Sequence, residues 1–411
     1  MEWLVALTFV VLLWLRQSTL VVLGVGLLLL YALSADAHAE YLVYDLWDGL
    51  NRATLLAVPT YVLAHALMCA GQSVQRLSEF LRVLTSPLPV GMAVGSLLSI
   101  VVVSALCGSP AIALLAIGPA THRALLAEGY GASFSMGLLC AGTVLGSLLP
   151  LSVPLIVYSV VSQTEIFGLF SLAGIAAASL VLALVVYSAC TNWNRAGFFR
   201  RSGDLRTAFV EALPALVPIL VLVAALISTR LSAAQCGMLF LVAAVAAELG
   251  VYRGLGKQKL RDAGLDVISQ LGRILPLVLF SVSLGAYLTH HQFPQQLGGW
   301  LEQQDFGSGQ FLGWVNFALL FLGLLLDAVS ALLVVTPILE PAAEELGLMP
   351  EPFGVMLVLN LSLSYLTPPN GLVLIAAMLA FRESFNAVFA AVVPFLAVLW
   401  AGVLVLALLA L

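Results

Sequence analysis

A long uncharged segment, from Val83 to Thr121, constrains the fold of this chain most strongly. It is long enough for two helical arms in hydrocarbon, where every backbone N–H and C=O group must be satisfied internally. The whole chain is 62% hydrophobic and 9% charged, which excludes a soluble domain and predicts an all-α polytopic membrane protein in a lipid bilayer. A net charge of −5, without a long basic run, argues against a nucleic-acid partner.

Another apolar segment, near the C-terminus, is interrupted in its middle. Residues 359–374 read LNLSLSYLTPPNGLVL, so that Thr367, two prolines, Asn370 and Gly371 follow one another. Proline removes an N–H donor and glycine relaxes the backbone, and together they break a helix. In hydrocarbon each freed carbonyl costs several kcal/mol unless protein, water or an ion satisfies it. The break is therefore either a costly defect or a place where something polar binds.

The chain also resembles itself at a fixed offset. Three proline and glycine pairs lie 218 residues apart: Pro119 with Pro337, Gly129 with Gly347, and Pro150 with Pro368. Leucine matches are common in such a composition, whereas three proline and glycine matches at one offset are not. Internal duplication recurs in secondary transporters, in which broken helices at corresponding positions point to the binding site.

The charges of two corresponding segments predict that the repeats are inverted. The expected loop THRALLAEGYG, residues 121–131, contains His122 and Arg123, whereas LEPAAEELGLMPE, residues 339–351, contains four glutamates and no base. Lysine and arginine gather on the cytoplasmic side of a membrane. We therefore expect the first loop inside and the second outside, with the acidic loop forming a solvated face.

Each repeat is expected to contain a re-entrant helical hairpin followed by a broken transmembrane helix. The hairpins should turn near residues 106–111 and 325–330, and the first break should lie in LGSLLPLSVPLIVY, residues 145–158. More ordinary helices are predicted at about 209–228, 233–251, 274–289 and 385–411. The predicted organisation has four units: N-terminal scaffold helices 1–75, a first transport repeat 76–206, central scaffold helices 207–308, and a second transport repeat 309–411.

The N-terminal scaffold is expected to begin with two short helices. Arg16 interrupts the first apolar stretch, which predicts a turn at residues 16–19 with the N-terminus outside. Residues 54–70 should cross inward, with a kink at Pro59. The starting sequence MEW lacks the basic residues of a cleavable signal peptide, so the first apolar segment is expected to be retained.

The two hairpin tips and the two breaks should converge near the bilayer midplane. Half-helix N-termini point partial positive charge at an anion, while half-helix C-termini and unwound carbonyls point partial negative charge at a cation. Asp327 is the only strong charge in this set. It either caps the arm that begins AVSALL or supports a cation site and titrates during transport.

The remaining candidates are polar or small residues at the tips and breaks. Gly108 and Ser109 either bring backbone close to an ion or simply form a tight turn. Thr367 either offers an oxygen to the site or bonds back to the preceding helical turn. Ser152 and Asn370 either contact substrate or cap the half-helices that follow them.

Cysteine and histidine give no sign of a metal or redox site. The five cysteines lie in apolar stretches without CxxC spacing and are expected to be packing residues rather than disulfides or metal ligands: Cys69, Cys107, Cys140, Cys190 and Cys236. The pair His290 and His291 is expected at an interface or in a loop, because adjacent residues on a helix end point apart. No intramembrane GxSxG, HExxH or paired-aspartate pattern is present, so we do not expect an enzyme.

With these residues in view, the chain resembles the large membrane subunit of tripartite ATP-independent periplasmic (TRAP) transporters. The matching blocks are FLGLLLDAVSALLVVTPILEPAAEELGLMPEPFGVMLVLN, LTPPNGL, DGLNRATLLAVPTYVLA, AIGPATHRALLAEGYG and GSLLPLSVPLIVY. The resemblance implies an elevator-type, sodium-driven importer of organic acids, commonly dicarboxylates or sialic acids, in the bacterial inner membrane. It also implies two partners, a small four-helix membrane subunit, expected to be a separate chain, and a periplasmic substrate-binding protein.

The resemblance also implies where ions and substrate bind. The predicted sodium-binding residues are Gly108, Ser109, Gly146, Pro150, Asp327, Thr367 and Pro368. The predicted substrate-binding residues are Ser109, Ser152, Asn370 and Gly371. Sodium is the expected coupling ion, and no other cofactor is expected. The alternative is a proton-coupled or other organic-anion carrier with the same inverted-hairpin architecture.

Overall fold

The computed structural model describes most of the chain, namely residues 8–9, 11–12, 15, 17–33, 39–88, 90–150, 152–192, 204–228, 231–304, 306–369 and 371–411. Within these ranges every regular segment is helical. Eight described helices are long and apolar enough to cross a membrane, or up to nine spans if the bent pair within residues 40–70 counts as one. The predicted all-α, multi-pass class is confirmed. The predicted interruption at Arg16 and the predicted substrate contact Asn370 lie outside the described residues.

The described helices fall into four successive groups. A short 3-10 segment, Ala53–Leu56, interrupts the first group, which comprises α1 (Thr19–Leu33), α2 (Ala39–Asn51), α3 (Ala57–Ala70) and α4 (Ser73–Thr85). The second group comprises α5 (Gly91–Cys107), α6 (Pro110–Ala127), α7 (Ala132–Leu145), α8 (Val153–Ser162) and α9 (Ile166–Asn192). The third comprises α10 (Leu205–Ile227), α11 (Ala233–Val245), α12 (Lys257–His290) and α13 (Phe293–Gln303). The fourth comprises α14 (Ser308–Leu325), α15 (Ala328–Glu345), α16 (Pro350–Leu363), α17 (Leu372–Phe381) and α18 (Phe385–Ala410).

Proline placement explains where several helices begin. Pro110, Pro154 and Pro350 lie in the first turns of α6, α8 and α16, where no intrahelical N–H bond is lost and the proline φ suits a helix. Both predicted broken helices are interrupted. A 3-10 turn ends α7 at Gly146–Leu148, and another ends α16 at Ser364–Leu366.

The order and lengths of the helices recur along the chain. Helices α6 and α15 each contain 18 residues, α7 and α16 each contain 14, and the 3-10 turns after them each contain three. Gly129 and Gly347 turn the chain at corresponding places with φ of 87° and 74°. Gln163 and Arg382, 219 residues apart because the second break is one residue longer, end α8 and α17 in the same left-handed conformation. The offset of 218 residues in the sequence therefore marks corresponding elements of structure.

The helices can be described as two groups that pack closely against each other. Helix α3 packs against α11 and α12, and α10 packs against α4 and α11; we call these helices, with α1 and α2, the scaffold. The two hairpins and broken helices interlock, because α17 packs on α6, α18 on α7, and α8 on α15 and α16. We call this second group the hairpin units. The groups meet where α3 and α4 contact α5 and where α12 contacts α15. The predicted boundary at residues 75 and 76 falls within α4.

Four predicted local features differ from the structure. The bend in the N-terminal scaffold, of 60°, lies between residues 51 and 54, while Pro59 occupies the first turn of α3, where proline is tolerated. Much of each predicted loop is helical, because α6 extends to Ala127 and α15 to Glu345. Glu340 is only 7% exposed, so the acidic segment is not simply a solvated face. Helix α12 also begins about five turns before the predicted residue 274.

The expectation for the cysteines is wrong for one pair. Cys69 and Cys107 form a disulfide that joins α3 to the end of α5, with 5.1 Å between their Cα atoms. The other three cysteines are free; Cys140 and Cys236 are buried, as packing residues should be, whereas Cys190 is exposed.

Candidate ion and substrate site

The first hairpin turns within two residues between α5 and α6. Gly108 ends α5 with φ of 63°, a left-handed conformation that glycine adopts at low cost, and its N–H donates to the Ala105 carbonyl at 3.3 Å. Ser109 is extended, and Pro110 begins α6. The tip thus places the carbonyl end of one helix beside the N–H end of the next, which juxtaposes partial charges of opposite sign.

Two serine hydroxyls mark the first break, between α7 and α8. The Ser147 hydroxyl donates to the Val144 carbonyl at 2.7 Å, and the Ser152 hydroxyl donates to the Ser147 carbonyl. Both serines are buried. Because each hydroxyl proton is already used, the lone pairs of the two oxygens remain as acceptors.

A small cavity of about 20 Å³ lies where the first tip meets the first break. Its lining residues come from both halves of the chain: Ser104, Ala105, Gly108, Pro110, Gly146, Ser147, Ser152, Val153, Pro154, Val329 and Tyr365. The volume is sufficient for one particle the size of water. The Ser104 hydroxyl also donates to a backbone carbonyl, that of Thr143, at 2.5 Å. Three serines whose hydroxyl oxygens can still accept a hydrogen bond therefore line this cavity.

Asp327 caps a helix at the second hairpin tip. Its carboxylate accepts a hydrogen bond from the Ser330 backbone N–H at 3.1 Å, while Leu326 ends α14 in an extended conformation. The Asp327 side chain is exposed. Of the two alternatives for Asp327, capping is thus the one with a hydrogen bond in this structure. Ser109, at the corresponding position of the first tip, makes no side-chain cap bond.

The second break has a similar local structure. The Thr367 hydroxyl donates to the Leu363 carbonyl at 3.0 Å, which is the back-bonding alternative raised for this residue. Pro368 is half-buried. Gly371 precedes α17, and its carbonyl accepts from the Ile375 N–H at 3.0 Å.

The structure brings together only some of the predicted site residues. Gly108, Gly146 and Ser152 line the small cavity, whereas the other described candidates lie on the tips and breaks outside its lining: Ser109, Pro150, Asp327, Thr367, Pro368 and Gly371. The second half of the chain reaches the cavity through Val329 and Tyr365. Val329 follows the second tip and Tyr365 lies in the 3-10 turn of the second break, so elements from both repeats meet at one place.

Sequence reasoning missed four polar residues at this place. Ser104 lies one helical turn before Gly108, and Ser147 and Tyr365 lie inside the two 3-10 turns, so a search for hydroxyl groups within one turn of each break would have found them. His65 on α3 is 3% exposed, and its Nδ1 lies 3.9 Å from the position that a β-carbon on Gly108 would occupy. No pattern in the sequence indicates that contact.

A larger cavity, of about 660 Å³, lies between the scaffold and the hairpin units. Helices α1, α2 and α12 line it on one side, and α8 and α15 on the other. Its ionisable lining residues are Tyr31, Tyr41, Asp45, Arg52, Tyr287, His290, His291 and Glu340. The volume accommodates a small organic solute. His290 and His291, at the end of α12, lie among these lining residues.

Comparisons with known proteins identify the family. The family described as "Tripartite ATP-independent periplasmic transporter, DctM component" matches residues 6–411. A C4-dicarboxylate TRAP transporter large permease protein from Pseudomonas aeruginosa is 26% identical over 382 residues, which cover 91% of this chain and 88% of the relative. A sialic acid TRAP transporter large permease protein from Vibrio cholerae is 26% identical over 345 residues, which cover 83% and 81%.

A solved structure supports the fold independently. The Alcanivorax borkumensis YdaH transporter superposes with a TM-score of 0.70 over 98% of both chains, at 14% sequence identity. At that identity the likeness concerns the fold alone. The family match covers nearly the whole chain, and its named relatives are transporter subunits rather than enzymes. The chain therefore belongs to the tripartite ATP-independent periplasmic transporter family, as its DctM component, the large permease subunit.

Proposed function

We propose that this subunit imports an organic acid anion across the bacterial inner membrane by sodium-coupled secondary transport. It receives the anion from a periplasmic binding protein and works with a small four-helix membrane subunit. The observation that carries the proposal is the cavity of about 20 Å³ in which the first tip, the first break and two residues of the second repeat meet.

The helix ends around this cavity favour a cation. Helices α5 and α7 both end there, so their last carbonyls direct partial negative charge toward it. The hydroxyls of Ser104, Ser147 and Ser152 add oxygen lone pairs. In other secondary transporters unwound carbonyls and half-helix C-termini coordinate sodium. A sodium ion would be held in the same way here.

The neighbouring helix ends favour an anion. Helices α6 and α8 begin at the same tip and break, and their first N–H groups have no intrahelical acceptor. A carboxylate near these N-termini would be stabilised, more strongly when a sodium ion occupies the adjacent cavity. This arrangement couples the two solutes, because each one raises the affinity for the other by the same factor.

Transport requires that the bound solutes change sides. We infer that the two repeats insert in opposite senses and that the hairpin units move relative to the scaffold, as in an elevator. The cavity of about 660 Å³ supports this inference, because both groups of helices line it and its volume would change with their relative position. It would serve as the vestibule on the periplasmic side.

Uptake by proteoliposomes tests the proposal. The large subunit, its small subunit and the cognate binding protein would be assayed with labelled C4-dicarboxylates and sialic acid, the solutes named for two relatives. We expect uptake to require an inward sodium gradient and the binding protein. Uptake that follows a pH gradient without sodium would favour the proton-coupled alternative, and uptake of no organic acid in the panel would contradict the proposed substrate class.

A further inference from the structure

A covalent bond joins the scaffold to the first hairpin tip. Cys69 lies in the last turn of α3, and Cys107 is the final residue of α5, directly before Gly108. The disulfide spans 38 residues of sequence and connects the two groups of helices at the edge of the small cavity.

A second contact shows that the tip rests on α3 independently of this bond. His65, one turn before Cys69, is buried and lies against Gly108, with its Nδ1 3.9 Å from the position of a β-carbon there. The ring of His65 also packs edge-on against Phe240 of α11, at 5.6 Å between ring centroids. The tip thus packs against a buried residue that also contacts α11 of the scaffold.

The bond limits how far the tip can move. Two cysteines cannot remain bridged when their Cα atoms are more than about 7 Å apart. The Cα atoms of Cys69 and Cys107 are 5.1 Å apart, so the tip cannot slide along α3 by even one helical turn while the disulfide is intact. Under the proposed function, on which this inference rests, the hairpin units must slide along the scaffold.

We propose that Cys69 and Cys107 form a reversible modification site, at which thiol–disulfide exchange locks and releases the transporter. The oxidant is a low-molecular-weight disulfide. Cys69 is half-buried and Cys107 only 6% exposed, so the Cys69 thiolate attacks the reagent first. A mixed disulfide forms and one reagent thiolate leaves.

The Cys107 thiolate then closes the lock by attacking the Cys69 sulfur of the mixed disulfide. The second reagent thiolate leaves, and the two protons from the cysteines protonate the two leaving groups. Two electrons pass from the cysteine pair to the reagent, which ends as two thiols. An excess of small thiol drives the same steps in reverse and frees the tip.

The test compares oxidised and reduced transporter in proteoliposomes. The complete complex would be treated with glutathione disulfide or with reduced glutathione and assayed for uptake with its binding protein. We expect oxidation to slow uptake by about tenfold or more, because a required conformational step is blocked, and reduction to restore it. Under both conditions Cys69→Ser should transport at the rate of the chemically reduced wild-type protein. Cys190→Ser, which removes an exposed free thiol, should keep the response.

Two readouts do not depend on the substrate. Peptide mapping under non-reducing conditions should find the Cys69–Cys107 link after oxidation, and recovery of both cysteines as alkylated thiols would overturn the proposal. Hydrogen exchange of the peptide covering residues 105–112 should be slower in the oxidised protein than in the reduced protein, and unchanged in Cys69→Ser.

These readouts separate the lock from the proposed function. Equal uptake by reduced protein and by protein with the mapped link would overturn the lock and leave the transport proposal intact. If no condition supports uptake of any organic acid, the transport proposal fails. In that case hydrogen exchange decides the lock: slower exchange of residues 105–112 in the linked protein supports it, and equal exchange overturns it.

Discussion

Ser104 on α5 and Gly146 at the first break approach so closely that a β-carbon on Gly146 would lie 2.5 Å from the Ser104 β-carbon. The second repeat has a similarly close contact, but there the glycine lies on the hairpin arm and the serine lies in the break. There the glycine is Gly323 on the hairpin arm α14, and a β-carbon on it would lie 2.6 Å from the β-carbon of Ser364 in the second break. Each hairpin arm thus touches its break directly, which holds the tip and the break together.

The contact between Gly323 and Ser364 predicts a destabilised variant and its rescue. Alanine is the better helix former by about 1 kcal/mol, but in Gly323→Ala the added methyl group meets Ser364 and should cost about 1–3 kcal/mol through overpacking. We expect a lower thermal unfolding midpoint in detergent. The double variant Gly323→Ala, Ser364→Gly removes the obstructing side chain and should recover most of the loss.

A matched control is available on the same helix. Gly313 has nothing within 4 Å of its β-carbon position, so Gly313→Ala should raise the midpoint slightly or leave it unchanged. Equal midpoints for Gly323→Ala and Gly313→Ala would show that the arm does not press on the break.

The serine oxygens of the small cavity predict a change in sodium dependence. Ser147→Ala and Ser152→Ala each remove one oxygen from its lining, and a cation held by few ligands should bind roughly tenfold more weakly when one is lost. We expect the sodium concentration for half-maximal uptake to rise by that factor, while uptake at saturating sodium falls less. Initial uptake rates measured across a range of sodium concentrations give both values.

Ser179→Ala provides the control for the cavity serines. Ser179 is exposed on α9 and its hydroxyl donates to the Ala176 carbonyl, so it makes the same kind of local bond outside the cavity lining. Its sodium dependence should match that of the wild-type protein. If Ser147→Ala and Ser152→Ala match it too, the cavity does not hold the coupling ion.

Features of the fold that depend on neighbouring residues could be predicted from the sequence. Both breaks were predictable, because proline, glycine and serine act on the backbone next to them. The repeat was predictable because Gly129 and Gly347 must adopt left-handed conformations at corresponding turns. The family resemblance predicted the class of protein correctly.

Features set by distant parts of the chain were not predictable in this way. Pro337 and Pro341 discourage a helix locally, yet packing against α12 and α8 sustains α15 through both of them. Glu340 is consequently buried rather than solvated. The disulfide joins two cysteines that only the tertiary fold brings together. The same holds for Tyr365, which reaches a cavity formed mainly by the first repeat.

The Asp327 carboxylate accepts a hydrogen bond from the Ser330 backbone N–H. This bond predicts that the shape of the Asp327 side chain matters more for stability and uptake than its charge. Asparagine caps helices about as well as aspartate, so Asp327→Asn should retain the thermal midpoint and sodium-dependent uptake within about twofold. Asp327→Ala removes the cap and should cost about 1 kcal/mol and lower uptake, without loss of membrane expression. Loss of uptake in Asp327→Asn, with an unchanged midpoint, would instead assign the charge to coupling.

We expect replacement of Glu248 to cause the largest loss of scaffold stability of any single substitution. This carboxylate is fully buried in a π-helical segment that continues α11, and it accepts hydrogen bonds from the backbone N–H groups of Gln72 and Ser73, both at 3.0 Å, at the start of α4. Gly71 leaves room for it, because a β-carbon there would overlap the carboxylate. A buried anion at a helix N-terminus is stabilised by the unpaired N–H groups it covers.

Variants of Glu248 measure how much its buried hydrogen bonds contribute to stability, in comparison with a salt bridge at the surface. Glu248→Ala leaves buried donors without an acceptor and should cost about 2–4 kcal/mol, whereas Glu248→Gln keeps one acceptor and should cost less. The control is Glu211→Ala. Glu211, on α10, is the half-exposed ion-pair partner of Arg76 on α4, and its loss should cost at most about 1 kcal/mol. Thermal midpoints and hydrogen exchange of α4 measure the difference. If Glu248→Ala behaves like Glu211→Ala in both measurements, the carboxylate does not anchor α4 to the scaffold.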